Sequence, residues 1–184
     1  IQPSYLGLLS RLEENKTEEQ QYDLTVLLSG PEPQRSMLEQ KILHQLPGYS
    51  GRVLLVRGLP QNNSTVHPNQ HITVHNHLPA EELQKALCSS ALIICRSGYT
   101  TLMDLVKLNK KALLIPTPGQ PEQEYLAGYM QKQSYFPFQE QQAFDLSAAI
   151  KTADLFSYRH PFTEVDFEIY KKAINELLKS RLQN

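Results

Sequence analysis

The chain has 184 residues, of which 40% are hydrophobic and 20% are charged, a composition that suits one globular domain with a sizeable core. The formal net charge of −1 argues against a general nucleic-acid-binding surface, which needs an excess of Lys and Arg. No apolar run approaches the roughly 18 residues that a membrane-spanning helix needs, and the first residues show no signal-peptide pattern.

The two cysteines, Cys88 and Cys95, both lie in apolar segments. A disulfide-based fold carries far more cysteine, so we expect two reduced thiols in the core and an intracellular protein. The chain opens with Ile1 rather than Met, followed by an extended-looking stretch up to Gly7. We therefore expect an excised domain whose N-terminal partner domain is missing from this chain.

Short apolar runs alternate with segments of helical spacing, and Gly, Pro and Ser separate them. After a polar loop, the elements predicted in chain order are a strand at 24–28, a helix at 36–46, a strand at 53–56, a loop at 61–64, a weaker strand at 72–74, a helix at 81–87, a strand at 91–95, a helix at 101–108, a strand at 111–115, a helix at 122–133, a short strand at 134–136, and helices at 146–155 and 165–182.

The predicted strands are short, continuously apolar and separated by helices, which is typical of a parallel sheet covered on both faces. Right-handed crossovers make this a doubly wound, mostly parallel α/β sheet of about six strands, Rossmann-like, with helices on both faces. We assign residues 1–22 to a linker or N-terminal extension, residues 23–160 to the Rossmann-like domain and residues 161–184 to a C-terminal helix.

Two glycine-containing turns fall where such a sheet binds ligands. With the strand order 3-2-1-4-5-6, the binding crevice lies outside the carboxyl ends of strands 1 and 4, where the order reverses. Strand 1 ends at Ser29-Gly30 and strand 4 ends at Arg96-Ser97-Gly98. The two turns should face each other across the crevice, where Arg96 either forms a salt bridge or covers the sheet edge.

Each turn leads into a helix, whose first N–H groups and partial positive charge suit a phosphate. Gly98 lets the backbone approach a ligand without a Cβ atom in the way. Ser97, Thr100 and Thr101 could cap the helix or donate to an anion, and the turn after strand 1 could do the same from the opposite side. The alternative is that these residues only cap helices, as they do in many turns.

Three further polar residues follow the turns. Asp104 lies one helical turn after Gly98, where the helix dipole stabilises a carboxylate or the carboxylate accepts hydrogen bonds from ribose hydroxyls. Gln123 and Glu124 begin the helix after the fifth strand, where they bind sugar hydroxyls or form a solvated first turn. The sequence leaves both pairs of alternatives open.

The sequence predicts no metal site and no cofactor. His75 and His77 would share a face of a strand, near His67 and His71, but no Cys or carboxylate lies at a ligand spacing apart from two Glu in the next helix. A Gly-x-Ser-x-Gly elbow, a Walker loop and a Gly-x-Gly-x-x-Gly motif are all missing. This argues against NAD, FAD and ATP.

Three segments resemble one known family. C-R-S-G-Y-T-T-L-M-D at 95–104, K-A-L-L-I-P at 111–116 and E-Q-E-Y-L-A at 122–127 resemble the nucleotide-sugar-binding, C-terminal half of GT-B glycosyltransferases, above all the family 28 C-terminal domain. That family includes MurG-like bacterial transferases, which add N-acetylglucosamine to a lipid-linked peptidoglycan precursor. The resemblance covers most of residues 5–135.

The resemblance implies which residues contact the donor phosphates. The family's phosphate-contacting arginine, in a Gly-x-x-x-Arg stretch, corresponds to Arg11, and its glycine-rich loop corresponds to Ser29-Gly30 and the residues up to Arg35. The family prefers Gly-Gly-Ser in that loop. Pro31 and Pro33 depart from this pattern and remove backbone donors.

The resemblance also implies how the rest of the donor is read. Backbone groups near Leu78 and Pro79 would read the uracil, and Asp104 would bind the ribose in place of the family's usual Glu. The pair that contacts the donor sugar would be Gln123 and Glu124.

These correspondences predict the donor-binding domain of a glycosyltransferase that transfers a hexosyl group, N-acetylglucosamine by resemblance, from a UDP-sugar to an unknown acceptor. The family's catalytic base and acceptor site belong largely to the N-terminal domain, so we expect no catalytic residue in this chain and no activity from it alone. Two alternatives stay open: a UDP-sugar 2-epimerase-like enzyme, and a non-catalytic GT-B-derived domain that binds a partner chain. The expected location is the cytoplasm, at the inner membrane surface if the full-length protein associates with it.

Overall fold

The computed structural model describes residues 9–13, 19–61, 65–159 and 169–182. Its elements, in chain order, are β1 (Tyr22–Leu27), α1 (Gln34–Gln45), β2 (Val53–Val56), β3 (Thr65–Asn69), β4 (Ile72–His75), α2 (Ala80–Cys88), β5 (Ser90–Cys95), α3 (Tyr99–Lys107), β6 (Ala112–Leu114), α4 (Pro121–Lys132), α5 (Leu146–Leu155) and α6 (Ile169–Leu182).

The sheet has six strands in the order β3-β4-β2-β1-β5-β6. All neighbouring pairs are parallel except β3 and β4, which are antiparallel. The five parallel strands follow the order 3-2-1-4-5 in the numbering of the predicted strands. The doubly wound, mostly parallel sheet is therefore confirmed, with its reversal point between β1 and β5.

β1 is the central strand, and its apolar residues explain why. Leu24, Thr25 and Val26 are fully buried, which requires both faces of the sheet to be covered. At its carboxyl end, Leu27 aligns with Val56 of β2 and with Cys95 of β5. The turns that follow β1 and β5 therefore leave the sheet side by side.

Helices cover both faces of the sheet. Apolar residues of α1 and α5 share one buried cluster with alternate residues of the strands, including Leu38, Ile42 and Ala149. Apolar residues of α2, α3 and α4 form a cluster on the other face, including Leu87 and Leu105. The alternation of side chains along each strand separates the two clusters.

The edge strand β3 was not predicted from the sequence. All five of its residues are exposed, so no apolar alternation marks it, and Pro68 argues against a strand. Pairing with β4, through Val66 opposite Val74, makes it a strand. An exposed edge strand with a proline is a common way to end a sheet.

The strand predicted at 134–136 is wrong. Ser134 has a φ of 60° and ends α4 in a turn, so the chain does not run extended there. Instead, Phe138 forms a single parallel bridge to Leu114, where the Leu114 N–H donates to Pro137 O at 2.9 Å. The apolar residue Phe136 is buried in the core rather than in a strand.

Several wider expectations meet the structure only in part. Both thiols are free: Cys95 is buried and Cys88 is half-buried, which confirms reduced cysteines within or against the core. No helix in the described ranges is long and apolar enough to cross a membrane. The domain boundaries stay predictions, and part of the helix predicted at 165–182 lies outside the described residues, which place α6 from Ile169 onward.

Candidate functional site

Three strand-to-helix turns meet at the carboxyl edge of the sheet, after β1, β5 and β6. Gly30 lies in the first, Gly98 in the second and Thr117 in the third. A Cβ atom added to Gly30 would lie 3.5 Å from Thr117 Oγ1, so the first and third turns approach each other across the end of β5. These turns frame the reversal point of the strand order, where the sequence predicts a binding crevice.

Gly30 is required by its backbone conformation. Its φ is 100°, a region that residues with a Cβ rarely occupy. Ser29 and Gly30 are both exposed at the carboxyl edge of the sheet. Whether they bind a ligand stays a prediction.

The N-terminus of α3 opens at the second turn. Gly98 is the N-cap residue, with extended backbone angles, and no side chain caps the helix there. Nothing lies within 4 Å of a Cβ added at Gly98. Thr100 is exposed and Thr101 half-buried in the first helical turn, so this helix end offers backbone N–H groups and a threonine hydroxyl at the surface.

Ser97 and Gln123 hold the second and third turns together. The fully buried Ser97 hydroxyl donates to Gln123 O at 2.8 Å. Gln123 Oε1 accepts from the Thr117 N–H at 3.0 Å and from Thr117 Oγ1 at 3.1 Å. The Ser97 hydroxyl therefore neither caps α3 nor is free to donate to an anion, and the side chains of Ser97 and Gln123 shape the loop that frames the crevice.

Arg96 is buried beneath the turns, with 1% of its surface exposed. Its Nη1 donates to Ile115 O at 3.2 Å and Pro116 O at 3.3 Å, and its Nη2 donates to Gln34 O at 2.9 Å. Of the two predicted roles, the salt bridge does not form within the described residues, whereas the contacts with Ile115 O and Pro116 O place Arg96 against the carboxyl edge of the sheet. Burial lowers the pKa of its guanidinium to about 10.

Arg35 is not open to the crevice as the resemblance implies. Its side chain is only 7% exposed and pairs with Glu32 at 2.6 Å and Glu39 at 2.7 Å. Its Nη1 also donates to Arg57 O at 3.1 Å. Because every part of the guanidinium has a protein partner, Arg35 supports the loop after β1 from within.

Glu32 places a carboxylate at the N-terminus of α1. Its Oε2 accepts from the Ser36 N–H at 3.1 Å, and its Oε1 accepts from Arg35 Nε at 2.7 Å. Hydrogen bonds from Ser36 and Arg35 hold the pKa of this carboxyl below its usual range. A protein carboxylate thus takes the helix N-terminus that the family loop would offer to a phosphate.

The structure brings Arg11 and Asp104 into the same region. Asp104 Oδ1 accepts from the Ser10 hydroxyl at 2.7 Å, a contact between residues 94 positions apart. Burial raises the pKa of Asp104, against the hydrogen bond from Ser10 and the positive charge of Arg11. The segment at 9–13 therefore lies against α3, with the exposed Arg11 near the carboxylate.

Leu78 contributes no polar side chain. It is buried with Leu54, Val56 and Ala86 beneath the start of α2. Only its backbone could contact a base, and that role stays a prediction.

Glu124 faces a cavity of about 340 Å³ beside the third turn. Its Oε1 accepts from the Gly119 N–H at 2.9 Å, and the residue is exposed. The rest of the lining combines apolar and polar groups: Pro116, Pro118, Phe138, Glu140, Gln141 and Gln142. Of the pair predicted to contact a sugar, Glu124 is thus the more accessible.

Sequence reasoning missed three residues of this site. Thr117 follows a strand and stands between two prolines, which is a turn signal that could have indicated it. The spacing of Glu32 and Arg35 fits an i,i+3 ion pair. The contact of Ser10 with Asp104 gave no local signal, because it joins distant parts of the chain.

The histidines hold no metal arrangement. His75 contacts Thr65 Oγ1 at 3.0 Å, and His67 contacts Thr73 Oγ1 at 3.3 Å, both in the β3–β4 hairpin. Among the residues that the structure describes, no three His, Cys, Asp or Glu side chains are grouped so that they could hold a metal ion.

The sequence model of the glycosyltransferase family 28 C-terminal domain matches residues 33–166. That match spans most of the chain, including the second and third turns, α3 and α4. The chain therefore belongs to this family of glycosyltransferase domains. The comparison with curated proteins gives no match.

Solved structures show the same fold. MurG of Acinetobacter baumannii matches with a TM-score of 0.55 and 14% identity, over 90% of this chain and 51% of that one. The glycosyltransferase VinC, solved in complex with dTDP, matches with a TM-score of 0.56 and 12% identity, over 96% of this chain and 46% of VinC. The spinosyn forosaminyltransferase SpnP matches with a TM-score of 0.53 and 16% identity, over 89% of this chain and 40% of SpnP. The chain thus spans about half the length of these glycosyltransferases or less, and it has the Rossmann-like fold of their GT-B C-terminal domains.

Proposed function

We propose that this chain is the donor-binding domain of a hexosyltransferase that uses a UDP-sugar. The sugar transferred is N-acetylglucosamine, as in the MurG-like members that the sequence resembles. A separate N-terminal domain supplies the acceptor site and the catalytic base, so this chain holds the donor without catalysing transfer. The complete protein works in the cytoplasm, where it meets its acceptor at the inner membrane surface.

The observation that carries this proposal is the meeting of three turns at the reversal point of the sheet. The turn after β1 ends in Gly30 with a φ of 100°, and the turn after β5 opens α3 at Gly98 without a side-chain cap. The free N–H groups of such a helix end favour a phosphate. The diphosphate of the donor would lie between these turns.

The nucleoside and the sugar would extend to opposite sides of the diphosphate. Asp104 carries a carboxylate within reach of the segment that holds Arg11, which suits a ribose next to a phosphate. Glu124 faces the cavity beside the third turn, which suits sugar hydroxyls. During transfer, α3 and the nearby cations would stabilise the charge of the departing diphosphate.

A second candidate is a non-catalytic domain that binds a partner chain. Two contacts favour it. Glu32 fills the N-terminus of α1 with a carboxylate, and Ser10 occupies one oxygen of Asp104. Both contacts take up groups that a donor would use.

Calorimetric titration of this chain with UDP, UDP-N-acetylglucosamine, GDP and dTDP separates the candidates. We expect the uridine compounds to bind most tightly, and Asp104→Ala to weaken them at least tenfold while the variant stays folded. Lys107→Ala, at the far end of the same helix, serves as the matched control. Tighter binding of another nucleotide would contradict the UDP assignment, and the absence of any binding would support the partner-binding candidate.

Product analysis on the full-length protein distinguishes transfer from epimerisation. We expect a glycosylated acceptor and free UDP. Recovery of an epimeric UDP-sugar without transfer would instead support the 2-epimerase-like alternative.

A further inference from the structure

Arg96 is a buried cation with no acidic partner among the residues that the structure describes. Its guanidinium is 1% exposed, and its three hydrogen bonds all go to backbone carbonyls. Its Nε lies buried with no hydrogen-bond partner in the structure. The other buried arginine, Arg35, has two carboxylates against it, so the fold does pair a buried arginine where one serves structure alone.

The unpaired charge lies among the three turns of the crevice. Arg96 itself precedes the N-terminus of α3, and its carbonyl partners belong to the turn after β6 and to Gln34 at the start of α1. Thus a positive charge and an uncapped helix N-terminus lie at the same edge of the sheet.

Burying a charge is unfavourable unless a charge of opposite sign lies near it. Three carbonyl dipoles compensate Arg96 only in part, since each carries a fraction of a unit charge. A ligand anion above the α3 N-terminus would complete the compensation. The attraction does not need direct contact, because the interaction between two charges falls only with the inverse of their distance.

We propose that Arg96 is a positioning residue whose buried charge attracts and orients the diphosphate of the bound nucleotide at the N-terminus of α3. The identity of the nucleotide rests on the proposed function. The role of Arg96 requires only that an anion binds at this place. Arg96 also joins the start of α1 to the turn after β6 through its hydrogen bonds, so the same side chain helps to set the spacing of the crevice. The nucleoside lies beyond its influence.

The test compares ligands that differ in charge. Pyrophosphate, UDP and uridine are titrated into the wild-type chain, Arg96→Met and Arg96→Lys, at two ionic strengths. At an effective dielectric constant of about 20, a unit charge roughly 10 Å from a phosphate changes its binding about tenfold. We therefore expect Arg96→Met to weaken the binding of UDP and pyrophosphate about tenfold and to leave the binding of uridine unchanged. Arg96→Lys should restore most of the lost affinity.

A second measurement does not depend on any variant. The Nε–H resonance of Arg96 in ¹⁵N-labelled wild-type protein should shift, and its exchange with water should slow, when pyrophosphate is added. Uridine should leave it unchanged. This readout holds even if Arg96→Met fails to fold.

The outcomes separate this inference from the proposed function. If pyrophosphate binds and shifts Arg96 but no nucleotide binds, the role of Arg96 stands and the donor assignment falls. If UDP binds the wild-type chain but Arg96→Met weakens the binding of UDP and of uridine equally, or changes neither affinity, Arg96 is only structural and the inference is overturned. If the wild-type chain binds neither anion, both fall.

Discussion

Glu32 holds a negative charge at the start of α1, where the family resemblance expects the donor phosphates. Its carboxylate accepts from the Ser36 N–H and from Arg35, so it satisfies the helix end in the way a phosphate would. A donor that also used this helix end would have to displace or tolerate it. The resemblance alone, which rests on residue positions, does not reveal such a competitor.

We predict that Glu32→Gln strengthens the binding of UDP, by up to about fivefold, because an exposed charge–charge interaction has about that effect. Glu19→Gln, which removes an exposed carboxylate ahead of β1, at the opposite edge of the sheet, is the matched control and should leave UDP binding unchanged. Calorimetry at low salt measures both. Equal affinities in Glu32→Gln and wild type would show that the phosphates bind away from α1.

Replacing Gly30 or Gly128 by alanine should change the free energy of unfolding in opposite directions. Gly30→Ala places a Cβ at a φ of 100°, which should lower the free energy of unfolding by about 1–2 kcal/mol. Gly128→Ala, in the interior of α4 with open space around a Cβ, should raise it by about 0.5–1 kcal/mol. Urea unfolding of both variants checks this, and a neutral Gly30→Ala would mean that the turn adjusts its backbone.

At the scale of elements, polar contacts between loops set the shape of the crevice. Ser97, Gln123 and Thr117 join the turns after β5 and β6, and Glu39 of α1 forms ion pairs with Arg35 and with Arg57 after β2. Arg57 continues to Asn76 after β4 at 3.0 Å. The carboxyl ends of β2 and β4 are thereby tied to α1.

We predict that Glu39→Gln lowers the free energy of unfolding by about 3 kcal/mol, because it removes the carboxylate partner of Arg57 and leaves Arg35 with Glu32 alone, in a site where Glu39 is 5% exposed. Asp23→Asn is the control. Its ion pair with Arg52 is 36% and 52% exposed, and such pairs contribute less than about 1 kcal/mol. If both variants lose the same amount in urea unfolding, the Glu39 network is not a stabilising link.

Element positions were predictable where a segment buries an apolar face. The helix at Leu146–Leu155 has the predicted bounds. The other helices and the parallel strands from β1 to α4 begin and end within about two residues of the prediction. The strand β3 and the extended segment near Phe138 were not predicted. Exposed backbone pairing decides β3, and hydrogen bonds to β6 decide the extended backbone at Phe138. Neither leaves an apolar pattern in the sequence.

At the scale of the whole molecule, stability is concentrated in the middle of the sheet. β1 is buried between β2 and β5, with helices above and below, whereas β3 forms an exposed edge. Opening the edge exposes little apolar surface, while opening β1 exposes both halves of the core.

Amide hydrogen exchange should follow this gradient. We predict the slowest exchange, close to global unfolding, for the N–H groups of β1 and β5, and exchange faster by several orders of magnitude for β3. Mass spectrometry of peptides from each strand measures it. Protection of β3 equal to that of β1 would mean that something covers this edge in solution.

The alternation of apolar strands and amphipathic helices is readable in the amino-acid pattern, and with it the doubly wound sheet and its reversal point between β1 and β5. The residues around Arg96-Ser97-Gly98 and Gln123-Glu124 also indicate the family. What those residues do depends on the folded arrangement. Ser97 and Gln123 clamp loops, Arg35 is enclosed by carboxylates, and Arg96 is buried without one. The reason is physical: local periodicity reports which face of an element is buried, whereas a polar side chain takes its role from partners that the fold brings from distant positions.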